Sequence, residues 1–165
     1  MNTKTRWLTG AAVIVCTAGI ALATPIVGLV SPLLAVGTHD GDLHAHGGAA
    51  VAGGEPFNVR FSTDGAATVS TQDFALAAGG HNGWHEHPGM VIVTLISGSM
   101  TWYDENCQPT EYKAGDSWVE GGQRHAFKVT SPTGLHAFAT FVTAKGLALR
   151  TDESAPSCDT GQLGF

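Results

Sequence analysis

Two histidines separated by a single residue carry the strongest chemical signal in the sequence. His85 and His87 lie in a Gly-rich segment, residues 79–89. Residues two apart on a β-strand point to the same face, so both imidazoles can converge on one point. A third histidine, His125, opens a later predicted strand just after a Gly-Gly turn. Because neutral imidazole is the commonest metal ligand, His85 and His87 could begin a metal site, and a distant histidine that opens another strand strengthens this interpretation.

The remaining histidines have plainer interpretations. His81 could be a fourth ligand if its Gly-rich turn folds inward, although a histidine in such a turn is more often exposed to solvent. His136 begins the last predicted strand, where a barrel or rim position is favoured over a ligand role. Three further histidines could collect a metal, but a solvated loop is the favoured interpretation of their Gly-, Ala- and His-rich segment. These three are His39, His44 and His46.

Acidic and aromatic side chains surround the segment that leads to His125. Asp116 is expected to satisfy a turn, whereas Glu120 could support a ligand through a hydrogen bond. Glu111 lies nearby without a distinct role. Aromatic residues could line a pocket for a flat or sugar-like ligand, but at strand positions they are more often core. The aromatic residues concerned are Trp84, Trp102, Tyr103 and Trp118.

The elements that must position these residues are predicted to be β-strands. Short segments rich in Val, Phe, Thr or Trp alternate with Gly, Pro, Asp and Asn, which indicates a sandwich or a barrel. No segment shows a sustained period of 3.6 residues, so we expect an all-β fold with little helix. Residues 38–55 show little apolar periodicity and are expected to form a loop. The predicted strands cover residues 57–61, 69–77, 90–96, 100–103, 116–120, 125–130 and 136–143.

The composition is that of one globular domain. The chain has 165 residues, of which 43% are apolar and 13% charged, and this balance excludes a disordered protein. The formal net charge of −6 argues against a nucleic-acid partner, because such binding needs a basic face.

The N-terminus has the pattern of an export signal over residues 1–23. Lys4 and Arg6 form a basic start, residues 8–20 form an uncharged apolar run, and Ala21-Leu22-Ala23 fits the small-x-small cleavage rule. The mature chain is therefore expected to begin near Thr24 and to be secreted or extracytoplasmic. The alternative is an uncleaved membrane anchor formed by residues 7–36, and only in that case would the membrane be a partner.

Cleavage would remove Cys16 and leave two cysteines in the mature chain. Cys107 and Cys158 both lie in segments expected to be loops. Outside the cytoplasm a disulfide between them is the default expectation.

Two motifs give the sequence a resemblance to a known family. Gly79, His85-Glu86-His87 and Gly98 are spaced like the first motif of the cupins, and residues 115–125, GDSWVEGGQRH, look like the second. The phrases GWHEHPG, SGSMTWYDENC and EYKAGDSWVEGG are similar to those of exported bacterial single-domain cupins. The resemblance implies a single cupin β-barrel, or jelly roll, with a C-terminal tail over residues 57–165. Residues 24–56 would form an N-terminal strand and loop segment before it.

The resemblance assigns His85, His87 and His125 as metal ligands but fails at one ligand position. The glutamate ligand of the first motif should fall at position 91, where this sequence has Val91. Val91 has the parity of His85 and His87 and is expected to face the interior, whereas Glu86 is expected to face away. Three histidines without a carboxylate would leave the ion its full +2 charge and make it a stronger Lewis acid.

The sequence therefore predicts an exported metal-binding cupin of unassigned activity. Its divalent ion could be Fe, Zn, Mn, Ni or Cu, and its expected partner is a small-molecule ligand or substrate, with a homodimer as a further expectation from the family. Two alternatives stay open. One is a metal-dependent enzyme, an oxygenase or isomerase acting on a small polar molecule, and the other is a metal-free barrel that binds a small ligand.

Overall fold

The computed structural model describes residues 23–165, and every regular element in them is a β-strand. The expected all-β fold is confirmed. The expected export signal, except for Ala23, lies outside the described residues. The strands in chain order are β1 (Val27–Val30), β2 (Leu33–His39), β3 (Leu43–Ala49), β4 (Phe57–Thr63), β5 (Ala67–His81), β6 (His85–Glu86), β7 (Met90–Ser97), β8 (Ser99–Tyr103), β9 (Pro109–Lys113), β10 (Ser117–Glu120), β11 (Ala126–Val129), β12 (Leu135–Ala144) and β13 (Thr151–Asp152).

Nine strands form one curled antiparallel sheet. Its order is β10-β7-β12-β5-β11-β8-β9, and β1 and β2 also pair with β5. The long strand β5 joins the two parts of the sheet, because it pairs with β12 from Ala67 to Leu76 and reaches β11 at its last residue, His81. The short strands β6 and β13 form a separate pair at one end of the barrel.

Alternating side chains along the strands fill the barrel interior. In β7, Val91, Val93 and Leu95 are buried, whereas Ile92 and Ile96 point outward and are exposed. The same two-residue period appears in β12 and accounts for the predicted strand there. The interior cluster comprises Phe74, Leu76, Val91, Val93, Leu95, Met100, Trp118, Phe127, Val129, Leu135, Ala137, Ala139 and Phe141.

The turn between β7 and β8 depends on a single glycine. Gly98 has a φ of +86°, and a Cβ at this position would collide with the carbonyl oxygen of Gly134. Only glycine combines this backbone conformation with so close an approach of a neighbouring strand. The first-motif glycine therefore sets the tight reversal that brings β8 beside β11.

The loop expected over residues 38–55 is wrong for Leu43–Ala49, which forms β3. This strand pairs with β4 along its whole length, from Leu43 opposite Thr63 to Ala49 opposite Phe57. The two strands form their own two-stranded sheet and are exposed at nearly every position. Apolar periodicity marks strands that bury one face, so an exposed ribbon of Gly, Ala and His residues gives no such signal.

The N-terminal segment takes part in the barrel. β1 and β2, which precede residue 57, pair with β5 of the main sheet. Within residues 23–165 no helix is long and apolar enough to cross a membrane.

The predicted disulfide between Cys107 and Cys158 is present. It ties the C-terminal tail to the turn between β8 and β9. The tail then packs on Trp84, whose Nε1 donates to Oδ2 of Asp159 at 2.8 Å and whose ring lies edge-on to Phe165 with centroids 5.4 Å apart. Trp84 is completely buried as a result, so the tail covers the residue that immediately precedes His85.

Candidate metal centre

Three histidine side chains meet inside one end of the barrel. His85, His87 and His125 are only 2%, 4% and 1% exposed. Their ring centroids lie 4.4 to 5.1 Å apart, and one ring nitrogen of each lies within 4.8 Å of the others. The structure thus brings together the three histidines singled out in the sequence, and among residues 23–165 they form the sole cluster of this kind.

Backbone pairing holds the two motifs against each other. The N–H of His85 donates to the carbonyl of His125 at 2.9 Å, and the N–H of His125 donates back at the same distance. The N–H of His87 reaches the carbonyl of Gly121 at 3.4 Å. The Gly121-Gly122 turn therefore places His125 beside β6, although His125 follows His87 by 38 residues in the chain.

Each imidazole is anchored to the backbone through the same ring nitrogen. Nδ1 of His85 lies 2.9 Å from the carbonyl oxygen of Gly83, Nδ1 of His87 lies 2.7 Å from that of Leu149, and Nδ1 of His125 lies 2.8 Å from that of Gln123. A carbonyl oxygen can only accept a hydrogen bond, so each Nδ1 carries the proton. Nε2 of every ring is left for the interior, which is the arrangement of metal-ligating histidines.

A carboxylate faces two of these rings. Glu120 is 8% exposed, and its Oε2 lies 3.3 Å from Nε2 of His87 and 3.3 Å from Nε2 of His125. Nε2 of His125 nevertheless has no hydrogen-bond partner in the described part of the chain. A carboxylate therefore lies beside two of the three clustered histidines.

Two tryptophans fix the orientation of this carboxylate. Nε1 of Trp118 donates to Oε1 of Glu120 at 2.8 Å, and Nε1 of Trp102 donates to the same oxygen at 3.2 Å. Trp102 also stacks on the His125 ring, with centroids 5.6 Å apart. One oxygen of Glu120 is thus held by the indoles, and the other is presented to the histidines.

Burial and neighbouring charge set the protonation of the cluster. Burial, followed by the proximity of His125 and Arg150, lowers the pKa of His85 well below its ordinary value. Burial would raise the pKa of Glu120, but the His125 and His87 rings outweigh it and hold that pKa well below its usual range. Burial lowers the pKa of His125, but the Glu120 carboxylate outweighs burial, and the net shift is upward. The carboxylate is therefore ionised, and its charge favours the protonated form of His125.

An apolar cavity of about 180 Å³ opens onto the histidines. Val91 lines it, as the parity argument predicts, together with Phe74, Phe127, Phe141 and other apolar residues. The polar lining includes Arg150, whose guanidinium donates to the carbonyl of Asn82 at 3.0 Å and to the carboxylate of Asp152. A small molecule in this cavity would lie against both the imidazoles and a cation.

The other histidines of the sequence lie apart from this centre. His81 is 7% exposed and packs edge-on against Phe165. His136 forms an ion pair with Asp73 through Nε2. His44 is exposed and lies 3.0 Å from the Ser62 hydroxyl through Nδ1. His39 and His46 are also exposed.

The acidic residues flagged in the sequence differ in role. Oδ2 of Asp116 accepts the N–H of Lys113 at 2.9 Å and so satisfies a turn, as expected. Glu111 accepts the Thr101 hydroxyl at 2.6 Å. Glu86 pairs through its backbone with Thr151 and is not part of the cluster.

A comparison with protein families matches residues 72–141 to the Cupin domain. These residues form a cupin domain. The matched segment contains the three histidines and Glu120, so the centre belongs to the cupin domain itself. No protein of curated function matches the chain.

The cupin is also similar to several solved structures. It is 28% identical to an uncharacterized conserved protein with a double-stranded β-helix domain from Klebsiella pneumoniae, over 52% of this chain and 76% of that one, with a TM-score of 0.44. It is 22% identical to a predicted oxalate decarboxylase from Thermotoga maritima, over 48% and 83%, with a TM-score of 0.41. It is 17% identical to an RmlC-like cupin from Shewanella frigidimarina, over 74% and 86%, with a TM-score of 0.45.

The donor set of this cupin fits a divalent metal ion. Three buried imidazoles have their Nδ1 protons tied to carbonyls, Nε2 of His125 has no hydrogen-bond partner, and an ionised carboxylate lies beside two of the rings. Imidazole suits zinc, copper, iron and nickel, and a carboxylate suits manganese as well.

Proposed function

We propose that this cupin is an exported protein that binds one divalent metal ion through His85, His87 and His125 and holds a small molecule in the adjoining cavity. The observation that carries the proposal is the common anchoring of the three Nδ1 atoms to carbonyl oxygens. It leaves three Nε2 atoms converging in a buried space. A buried polar nitrogen without a partner costs about 1–3 kcal/mol, and a bound ion would remove that cost at Nε2 of His125, which has no hydrogen-bond partner in the described part of the chain.

The residues around the centre support a binding role for a small molecule. A bound divalent ion would supply Lewis-acid polarisation to a molecule in its open coordination positions. Most of the cavity lining is apolar, and Arg150 offers a cation to an electron-rich group. This arrangement suits a small molecule with an apolar body and an oxygen-bearing head, held either as the substrate of a metal-dependent enzyme or as the ligand of a binding protein.

Thermal unfolding of the metal-stripped protein with added Fe²⁺, Zn²⁺, Mn²⁺, Ni²⁺ or Cu²⁺ tests the proposal. At least one ion should raise the Tm and a chelator should reverse the rise, because an ion that binds only the folded state stabilises it. Replacing His85, His87 or His125 by Ala should abolish the rise. The control variants His44→Ala and His136→Ala should retain it. If the wild type and His87→Ala respond identically to every ion, the metal site does not exist and the protein is a metal-free binding barrel.

Export is supported by the disulfide between Cys107 and Cys158, since such bonds persist in oxidising compartments. N-terminal sequencing of protein recovered outside the cytoplasm should give Thr24 as the first residue. Recovery of intact Met1 in the membrane fraction would establish the anchor instead.

A further inference from the structure

We propose that Glu120 is the fourth metal ligand of this cupin, and that it supplies from strand β10 the carboxylate that Val91 lacks on strand β7. The inference rests on the proposed metal binding and deepens it. It changes the expected site from three neutral donors to three histidines and one carboxylate.

The register of the sheet places the two positions side by side. Glu120 is the direct antiparallel partner of Val91 in the pairing of β10 with β7. Both side chains point inward, with exposures of 8% and 1%. Cβ atoms of directly opposed residues lie about 4.5–5.5 Å apart, a separation that a glutamate side chain can span. A carboxylate at either position can therefore reach the same point in the barrel.

The orientation of Glu120 favours a ligand role over a purely structural ion pair. Its Oε1 is occupied by the indole N–H groups of Trp118 and Trp102, whereas Oε2 is directed at Nε2 of His87 and His125. Those nitrogens are the ligand atoms, not the Nδ1 atoms through which a carboxylate usually supports a metal-bound histidine from behind. An ion among the three Nε2 atoms would meet Oε2 as its next neighbour.

The charge of the site leads to the same assignment. Three neutral imidazoles around a divalent ion would leave a charge of +2 in a cavity that is largely apolar, and burying such a charge is costly. An ionised Glu120 reduces that charge to +1. The carboxylate therefore makes the ion bind more tightly, and it also makes the ion a weaker Lewis acid than three histidines alone would.

Zinc affinity of the metal-stripped protein, measured by competition with a chelator, tests the assignment through three variants. Glu120→Gln keeps an oxygen that can accept the indole hydrogen bonds but removes the charge. It should weaken zinc binding by about 100-fold or more, beyond the range of about 10–100-fold expected when only an outer hydrogen-bond partner of a ligand is lost. The matched control Glu111→Gln removes another hydrogen-bonded carboxylate, away from the histidines, and should bind zinc like the wild type.

The double variant Val91→Glu/Glu120→Gln tests relocation directly. Val91 lines the cavity, so a larger side chain has room there. The added carboxylate should recover zinc affinity to within about tenfold of the wild type. It restores the charged oxygen donor, and only the position of that donor differs.

The outcomes separate the two proposals. A wild type that binds no zinc or other divalent ion overturns both. A wild type that binds zinc, with Glu120→Gln binding equally well, overturns the role of Glu120 alone. If Glu120→Gln does not fold, infrared difference spectra of the wild type with and without zinc decide the question. A shifted carboxylate stretch upon binding is expected, and an unchanged carboxylate region overturns the assignment.

Discussion

Replacing Trp118 by Phe should loosen the orientation of the Glu120 carboxylate without removing the carboxylate itself. The substitution keeps an aromatic ring against Tyr112, on which Trp118 stacks at a centroid distance of 4.3 Å, but it removes the N–H that donates to Oε1 of Glu120 at 2.8 Å. Trp102 remains as the second donor, at the longer distance of 3.2 Å. The carboxylate keeps its charge and its buried position but is held less firmly.

The expected magnitudes follow from these contacts. A hydrogen bond to a charged group contributes about 1.5–3 kcal/mol, and the smaller ring loses about 1 kcal/mol of packing, so the free energy of unfolding should fall by about 2.5–4 kcal/mol. Zinc affinity should fall by about 10–100-fold, as is typical when a partner that orients a metal ligand is lost. Urea denaturation of the metal-free protein and chelator competition measure the two effects separately.

A matched control distinguishes positioning from general destabilisation. Leu135 is a core residue, 4% exposed, that does not line the cavity. Leu135→Ala should cost about 2–5 kcal/mol of stability, a loss similar to that expected for Trp118→Phe, and should leave zinc affinity unchanged. If Trp118→Phe loses stability but binds zinc like the wild type, the tryptophans have no role in orienting Glu120 and the reasoning is refuted.

Three further outcomes follow from the structure. Cys107→Ser/Cys158→Ser opens a loop with a sequence separation of 51 residues and should cost about 4 kcal/mol in urea denaturation, with Trp84 fluorescence shifting as the tail detaches. Zinc affinity should rise with pH through the raised pKa of His125, because its proton must leave on binding, and titration calorimetry in two buffers of different ionisation enthalpy should detect that proton. The free energy of unfolding of the metal-free protein should fall as pH drops through the lowered pKa of Glu120, and it should also fall as pH rises through the raised pKa of His125. Urea denaturation at a series of pH values measures both losses. The charge assignment would be contradicted if zinc affinity were equal at all pH values, or if stability fell at neither the low-pH nor the high-pH side.

The strands that bury one face could be predicted from the sequence. In β7, Val91 to Leu95 show the alternation of a half-buried strand, and the parity of His85, His87 and Val91 gave their common inward direction correctly. Strand β3 could not be predicted from apolar periodicity, because its Gly, Ala and His side chains are exposed, whereas its partner β4 shows the alternation over residues 57–61.

The role of Glu120 depends on information that spacing along one strand does not carry. Position 91 lacks a carboxylate, and only the pairing of β10 with β7 shows that a glutamate lies directly opposite. One signal was present: Trp118 and Glu120 share a parity, so a buried Trp118 implies an inward Glu120. The anchoring of His87 by the Leu149 carbonyl has no sequence signal, since every residue carries such an oxygen.

Anomalous diffraction from crystals of the zinc-loaded protein, recorded on both sides of the zinc absorption edge, tests metal binding by this centre most directly. Zinc lies about 2.0–2.1 Å from ligating histidine nitrogens. The structure predicts a single strong peak at that distance from Nε2 of His85, His87 and His125, on the side of Glu120 Oε2. An absent peak at this position, or one found only beside His44 on the exposed hairpin, would contradict the account.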